Sequence, residues 1–163
     1  MIEFYDEVLE LYFRILFRFT FVDMEYTKTY TAKDEHIDFQ HIMDGLYYPF
    51  YMEYCRHDYI REVLGFDFIA EAENGVNMVL SKYSLQFVRS LKKGDTFQVT
   101  CSPMRDASNN SVLHFKQTIL LNNKIVTKAI FSGTCVRSTG GRPFLPDNLL
   151  GKVADAPIWN GEL

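Results

Sequence analysis

The chain has 163 residues, of which 47% are hydrophobic and 23% charged, and its formal net charge is -4. That length suggests one domain, and that composition supports a packed core and excludes a disordered chain. The acidic balance, with no long basic run, argues against nucleic acid as a partner.

The chain begins MIEFYDEVLELYFRILFRFTFV. Glu3, Glu7, Glu10, Arg14 and Arg18 fall on one helical stripe, and Tyr5, Val8, Leu9, Tyr12, Leu16 and Phe19 fall on the other side. This spacing predicts an amphipathic helix over residues 1–22, too charged to cross a membrane and unlike a signal peptide. Packing on its own domain or on a partner subunit is the favoured role. Contact with a membrane surface is the other, and the acidic polar face disfavours it.

The alternating Thr and Tyr of EYTKTYTAKDEHID predict a strand from Glu25 to Asp38. Asp44 to Gly65 then reads as a long helix. Asp44 or Tyr47 is placed to cap it, Pro49 sits in its first turn, and Gly65 stops it. Its apolar residues lie on more than one stripe, so it is expected to be buried nearly all round.

Beyond it the period changes to two. VNMVLSKYSLQF, TFQVTCSPM, SVLHFKQTILL and KIVTKAIFSGTCVR read as four strands joined by the turns LKKGD, DASNN and NN. Short turns imply an antiparallel meander. The segment after Arg142 has little periodicity and is expected as a surface tail over 151–163. The order gives an α+β domain over 23–150, one long central helix wrapped by a five-stranded antiparallel sheet.

The three cysteines, Cys55, Cys101 and Cys135, form no CxxC pair. They imply neither a zinc site nor a disulfide framework, and reduced thiols fit a cytoplasmic location. His36, Asp38, His41 and Asp44 lie close in sequence but match no strong ligand motif. No metal and no cofactor are expected.

Asp38 stands ten residues ahead of Tyr48, which opens the aromatic run YYPFYMEYCR, with Glu53 and Arg56 three apart inside it. Downstream come LQFVRSLKKGDTFQV and RPFLPDNL. In this order and spacing, Glu25 to Leu150 resembles the hotdog-fold acyl-CoA thioesterases of the 4-hydroxybenzoyl-CoA thioesterase type. Two positions depart from the family pattern. His41 stands where members often carry Gly, and Gly45 where they often carry Asn or His. The resemblance implies a hotdog fold and hydrolysis of an acyl-CoA or acyl-carrier-protein thioester. It also implies a homodimer or homotetramer with sites between subunits.

Thioester hydrolysis needs an activated water or nucleophile and a place for charge on the carbonyl oxygen. Asp38 is positioned as general base or nucleophile, with His41 as a second acid–base group. Gly45 and Leu46 would present backbone N–H groups at the helix start, and Gly lets substrate approach closely. Asp44 is placed to hold substrate or to cap the helix. Tyr48 lies where an acyl pocket would begin. Glu53 either serves as a helix carboxylate or forms an i,i+3 pair with Arg56. Arg89, Lys92 and Lys93 read as a solvated basic turn, with contact to CoA phosphates or an acidic carrier protein as the other reading. The alternative is a non-catalytic acyl-binding or assembly protein on the same fold. A hotdog dehydratase ranks last, since HIMDG does not match its loop.

Overall fold

The computed structural model describes residues 25–163. The amphipathic helix expected over residues 1–22 lies outside them. Strand β1 is Tyr26–Thr31, with half-buried and exposed residues alternating as the Thr/Tyr pattern dictates. It is shorter than expected. The Ile37 amide donates to Asp34 O at 3.1 Å, closing a 3-10 turn over Asp34–His36 that bends the chain before Asp38.

Helix α1 spans Tyr47–Glu62. Pro49 costs it nothing in the first turn, where amides have no partner inside the helix. Tyr48, Tyr51, Met52, Cys55, Arg56, Tyr59 and Ile60 form its buried stripe. Phe50 and Tyr54 are exposed, so the helix is not buried nearly all round. Only one side meets the sheet, and the second aromatic stripe faces outwards. Gly65 at φ 68 ends the helix by letting the Phe66 amide reach back to Ile60 O at 3.1 Å. A short helix the sequence reading did not contain follows, α2 (Phe68–Glu73), whose first amides are capped by Asp67.

Four strands complete the sheet: β2 (Val76–Phe87), β3 (Thr96–Arg105), β4 (Leu113–Leu121) and β5 (Lys124–Arg137). The order is β1-β3-β4-β5-β2, antiparallel throughout. The expected four-strand meander is therefore only three strands long, because β2 pairs with β5 at the far edge. The connection from Val88 to Asp95 is no hairpin. Leu91 within it is fully buried at the start of α1, its amide donating to Tyr48 Oη at 2.9 Å and its carbonyl accepting from Met43 N at 2.7 Å. The chain is thus pinned as it passes from β2 at one edge of the sheet to β3, the strand next to the opposite edge.

The core lies between α1 and the sheet, where Met52, Cys55 and Ile60 meet Val99, Phe115 and Ile119. The Tyr51 ring stands edge-on to Phe97 at 5.0 Å, and Tyr59 to Phe115 at 6.3 Å. Among the described residues no helix is long and apolar enough to cross a membrane.

The C-terminal segment is docked rather than loose. Helix α3 (Asp147–Lys152) buries Leu149, Val153 is buried just after it, and Ile158 bridges to Arg105. Trp159 packs against the buried His114 at 4.4 Å between ring centres. His114 Nδ1 faces Ser132 Oγ at 2.8 Å and Nε2 faces Asp106 Oδ2 at 3.1 Å. The Ser108 amide, His114 and the Asn109 amide together hold the Asp106 carboxyl down to about 2.

A carboxyl depressed in the folded state stabilises above its unfolded value and loses that contribution as pH falls through the folded value. The urea midpoint of the wild type is therefore expected to exceed that of Asp106→Asn above pH about 4, with the gap closing towards pH about 2. Fluorescence of Trp159, the single tryptophan, reports it directly.

Candidate active site

Between the 3-10 turn and α1 the chain folds into a tight loop. The Asp38 amide donates to Ile42 O at 2.9 Å, and the His41 amide donates to Asp38 O at 3.0 Å. Asp38 Oδ1 accepts from Gln40 N at 2.8 Å and from Ile42 N at 3.5 Å, an Asx turn. Both bonds use one oxygen. Oδ2 has no hydrogen-bond partner among the described residues.

The loop then leads into the helix. The Asp44 amide donates to His36 O at 2.9 Å, and Asp44 Oδ1 accepts from Leu46 N at 2.9 Å. Asp44 therefore serves the helix start, and the Leu46 N–H expected to face substrate is already engaged. The Gly45 N–H is engaged by no other described residue.

Asp38, Gly45 and Tyr48 share the wall of one open cavity of about 390 Å³, facing Phe87, Val88 and Arg89 from the end of β2. A side-chain carbon at Gly45 would stand 3.4 Å from the Phe87 ring, so glycine keeps that wall open. Tyr48 Oη accepts the Leu91 amide and retains its own proton to donate. Burial, with the Asp95 and Asp38 carboxylates adding to it, pushes the phenol above its ordinary range, so it stays a donor.

The other expected residues are not brought to this cavity. His41 is exposed and outside its wall, Leu46 is 78% exposed, and Glu53 lies on the outer face of α1. Glu53 Oε1 stands 3.9 Å from His57 Nε2 and forms no ion pair with Arg56. Arg56 instead turns inward to the core and donates to Gln117 Oε1 at 2.8 Å. Of the basic turn, Lys93 pairs with Asp34 at 2.8 Å, while Arg89 faces the cavity. His36, close to Asp38 in sequence, is buried, stacked on Tyr47 and bonded to Tyr51 Oη at 3.0 Å. Among the described residues no three His, Cys, Asp or Glu side chains converge to hold a metal.

Phe87 and Val88 were missed by sequence reasoning. Their signal was present, as large apolar residues at the end of a strand, but it shows only once β2 is known to be an edge among the described residues.

His41 has φ 63, a left-handed conformation that costs a residue with a Cβ about 1 kcal/mol. This is the position where the resembling family often carries Gly. His41→Gly is expected to leave stability unchanged or raise it by up to about 1 kcal/mol. If the imidazole takes no part in chemistry, kcat is also preserved. Urea unfolding and a rate assay on the same protein read both.

The arrangement puts Asp38, Gly45 just ahead of α1, and Tyr48 in the wall of one partly apolar cavity. That is a set suited to attack on a carbonyl attached to an apolar group.

No protein-family model matches the chain, and no curated protein matches it in sequence. Solved structures do match in fold. The 1,4-dihydroxy-2-naphthoyl-CoA thioesterase of Synechocystis superposes with a TM-score of 0.70 at 12% identity, covering 80% of this chain and 96% of that one. A hypothetical protein from Staphylococcus aureus, solved in complex with CoA, gives 0.73 at 15% identity, covering 85% and 90%. The DHNA-CoA thioesterase of Staphylococcus aureus gives 0.68 at 15% identity, covering 79% and 85%. The chain has the hotdog fold, and its structural neighbours include thioesterases of that fold.

Proposed function

We propose that this protein hydrolyses acyl-CoA thioesters to a free acid and CoA. The observation that carries the reading is that Asp38, Gly45 and Tyr48 line one cavity together with Phe87 and Val88. Thioesterase and CoA-bound neighbours of the same fold support it.

In this reading Asp38 takes a proton from water as the water oxygen bonds to the thioester carbonyl carbon. The carbonyl oxygen gains negative charge, which the Gly45 N–H and the positive end of α1 stabilise. Collapse of the tetrahedral adduct breaks the C–S bond, and the leaving thiolate takes up the proton that Asp38 had accepted, restoring the carboxylate. In the other route the Asp38 carboxylate attacks the carbonyl carbon, the C–S bond breaks to release the thiolate, and water opens the resulting anhydride to give the free acid and restore Asp38. Arg89 at the cavity edge suits the phosphates of CoA, and the slot beside Phe87 and Val88 suits the acyl group. The buried, unpaired state of Cys55, Cys101 and Cys135 supports a cytoplasmic location.

The reading includes a homodimer. Among the described residues strand β2 is an outer edge that exposes Val79, Leu80, Tyr83 and Phe87, and an apolar edge of this kind favours pairing with a second copy. Sedimentation should give at least twice the mass of the chain; a stable monomer would remove any site shared between subunits.

The test of function is thiol release from a panel of short, long and aromatic acyl-CoAs. Turnover of at least one supports hydrolysis. A flat panel would leave carrier-protein thioesters as substrates to try and would favour acyl binding without catalysis.

A further inference from the structure

The outer face of α1 carries a row of large side chains one turn apart, from Leu46 at the helix start through Phe50 to Tyr54. They are 78%, 41% and 54% exposed. Phe50 and Tyr54 pack edge to face with ring centres 4.7 Å apart, and Tyr47 meets Phe50 in the same way at 5.9 Å. The row is a continuous apolar ridge, and no described residue closes it off from water.

The chain enters β1 beside the other end of this helix. Tyr26 Oη donates to Glu62 Oε2 at 2.6 Å, and the Tyr26 ring stands 5.5 Å from Tyr59. At the far end of β1, Thr31 O accepts from Tyr51 Oη at 3.1 Å. Strand β1 therefore runs back along α1, and the residues ahead of it depart from the last turn of the helix. Residues 1–22 are joined to this point by residues 23–25. Three extended residues reach about 10 Å, enough for the roughly 8–10 Å that separates the axes of packed helices.

We propose that the outer face of α1 is the seat of this chain's own N-terminal segment, residues 1–22, docked as an amphipathic helix parallel to α1. As a helix that segment is about 33 Å long against about 24 Å for α1, so it covers α1 from end to end. With Val22 level with Glu62, the apolar residues Tyr5, Val8, Leu9 and Tyr12 come level with Leu46, Phe50 and Tyr54. The stripe of Glu3, Glu7, Glu10, Arg14 and Arg18 then faces water. Tethering favours this occupant over a separate one. Three partly exposed side chains offer less than the roughly 800 Å² per partner of a stable association. A segment on a short link needs less, because its effective concentration is of the order of millimolar. The acidic half of the polar stripe disfavours an anionic membrane surface.

Two measurements on the full chain test the seat, and neither depends on thioester turnover. The first is hydrogen exchange in the wild type and in the Phe50→Asp/Tyr54→Asp variant. Neither position belongs to the core, and circular dichroism checks the fold. Amides of residues 5–19 are expected to exchange at least about tenfold more slowly in the wild type than in the variant. Equal exchange in the two folded proteins, whether fast or slow, overturns the proposal.

The second measurement needs no folded double variant. Leu9→Cys combined with Phe50→Cys is treated with a short bismaleimide; Cys55, Cys101 and Cys135 are buried and do not compete. A cross-link within one chain is expected, running at monomer mass on a denaturing gel. A cross-link only between chains gives the seat to a second copy, and no cross-link leaves it empty; either result overturns the proposal. Flotation of the wild type with phosphatidylserine vesicles would assign residues 1–22 to a membrane surface and overturn it as well; no flotation is expected.

Discussion

Asp38→Asn is expected to lower thiol release from acyl-CoA by at least about 100-fold while the protein keeps its fold. The amide is nearly isosteric and retains an acceptor oxygen for the Gln40 and Ile42 amides, so the Asx turn survives. What it loses is the charge and basicity of Oδ2, the oxygen left without a partner. Stability should change by less than about 1 kcal/mol, because an exchange that keeps the hydrogen bonds has little else to disturb. Full turnover in the variant would move the chemistry away from Asp38. His41 and Glu53 would then need testing, although neither lines the cavity in a single chain. A variant that unfolds would assign Asp38 to the loop, and Asp38→Glu, which keeps the carboxylate but shifts it, would then separate charge from shape.

Gln117→Leu is expected to destabilise the protein by about 2–4 kcal/mol in urea unfolding. The two side chains have similar volumes, so no cavity accounts for the loss. Gln117 is fully buried and bonds at both ends, donating from Nε2 to Met52 O at 2.8 Å and accepting Arg56 Nη1 at 2.8 Å. Removing it leaves the buried guanidinium with only the Phe131 face. Burial already pulls the Arg56 pKa below its ordinary value, the direction expected for a cation short of compensation. Arg56→Met on the same background should recover much of the loss, since the charge and its partner then disappear together. A coupling below about 0.5 kcal/mol in the double-mutant cycle would show that the guanidinium is held by something else.

The regular elements were legible because their causes are local. Period-two runs bounded by Gly94 and by Asn122 and Asn123 located β2 to β5 almost to the residue. Pro49 and Gly65 marked the two ends of the helix region. The placement of β2 beside β5 was not legible. Nothing in the run from Val88 to Asp95 says whether it turns back or crosses the sheet, and only the burial of Leu91 decides it. The docking of the C-terminal segment was hidden for a similar reason. Leu149, Val153 and Trp159 are spaced by what they meet on the sheet, with no period of their own.

At the candidate site the carboxylate and the glycine were readable, since residue type and distance from the helix start suffice. His41, Leu46 and Glu53 were misplaced relative to the cavity because their directions depend on a left-handed residue, an engaged amide and the rotation of one helix. Arg56 was read as an i,i+3 partner for Glu53. The i,i+3 rule describes solvent-facing pairs, and it does not apply when one member points into the core.

The sheet order also sets a schedule for the growing chain. Val76 pairs with Arg137 and Phe87 with Thr127, so β2 leaves the ribosome with no strand to accept it until β5 has been made. At ordinary synthesis rates that interval is several seconds. During it the nascent protein shows a long, unpaired and partly greasy ribbon, open to any neighbouring chain. The yield of soluble protein should therefore depend on chaperone supply and translation speed more than its equilibrium stability suggests.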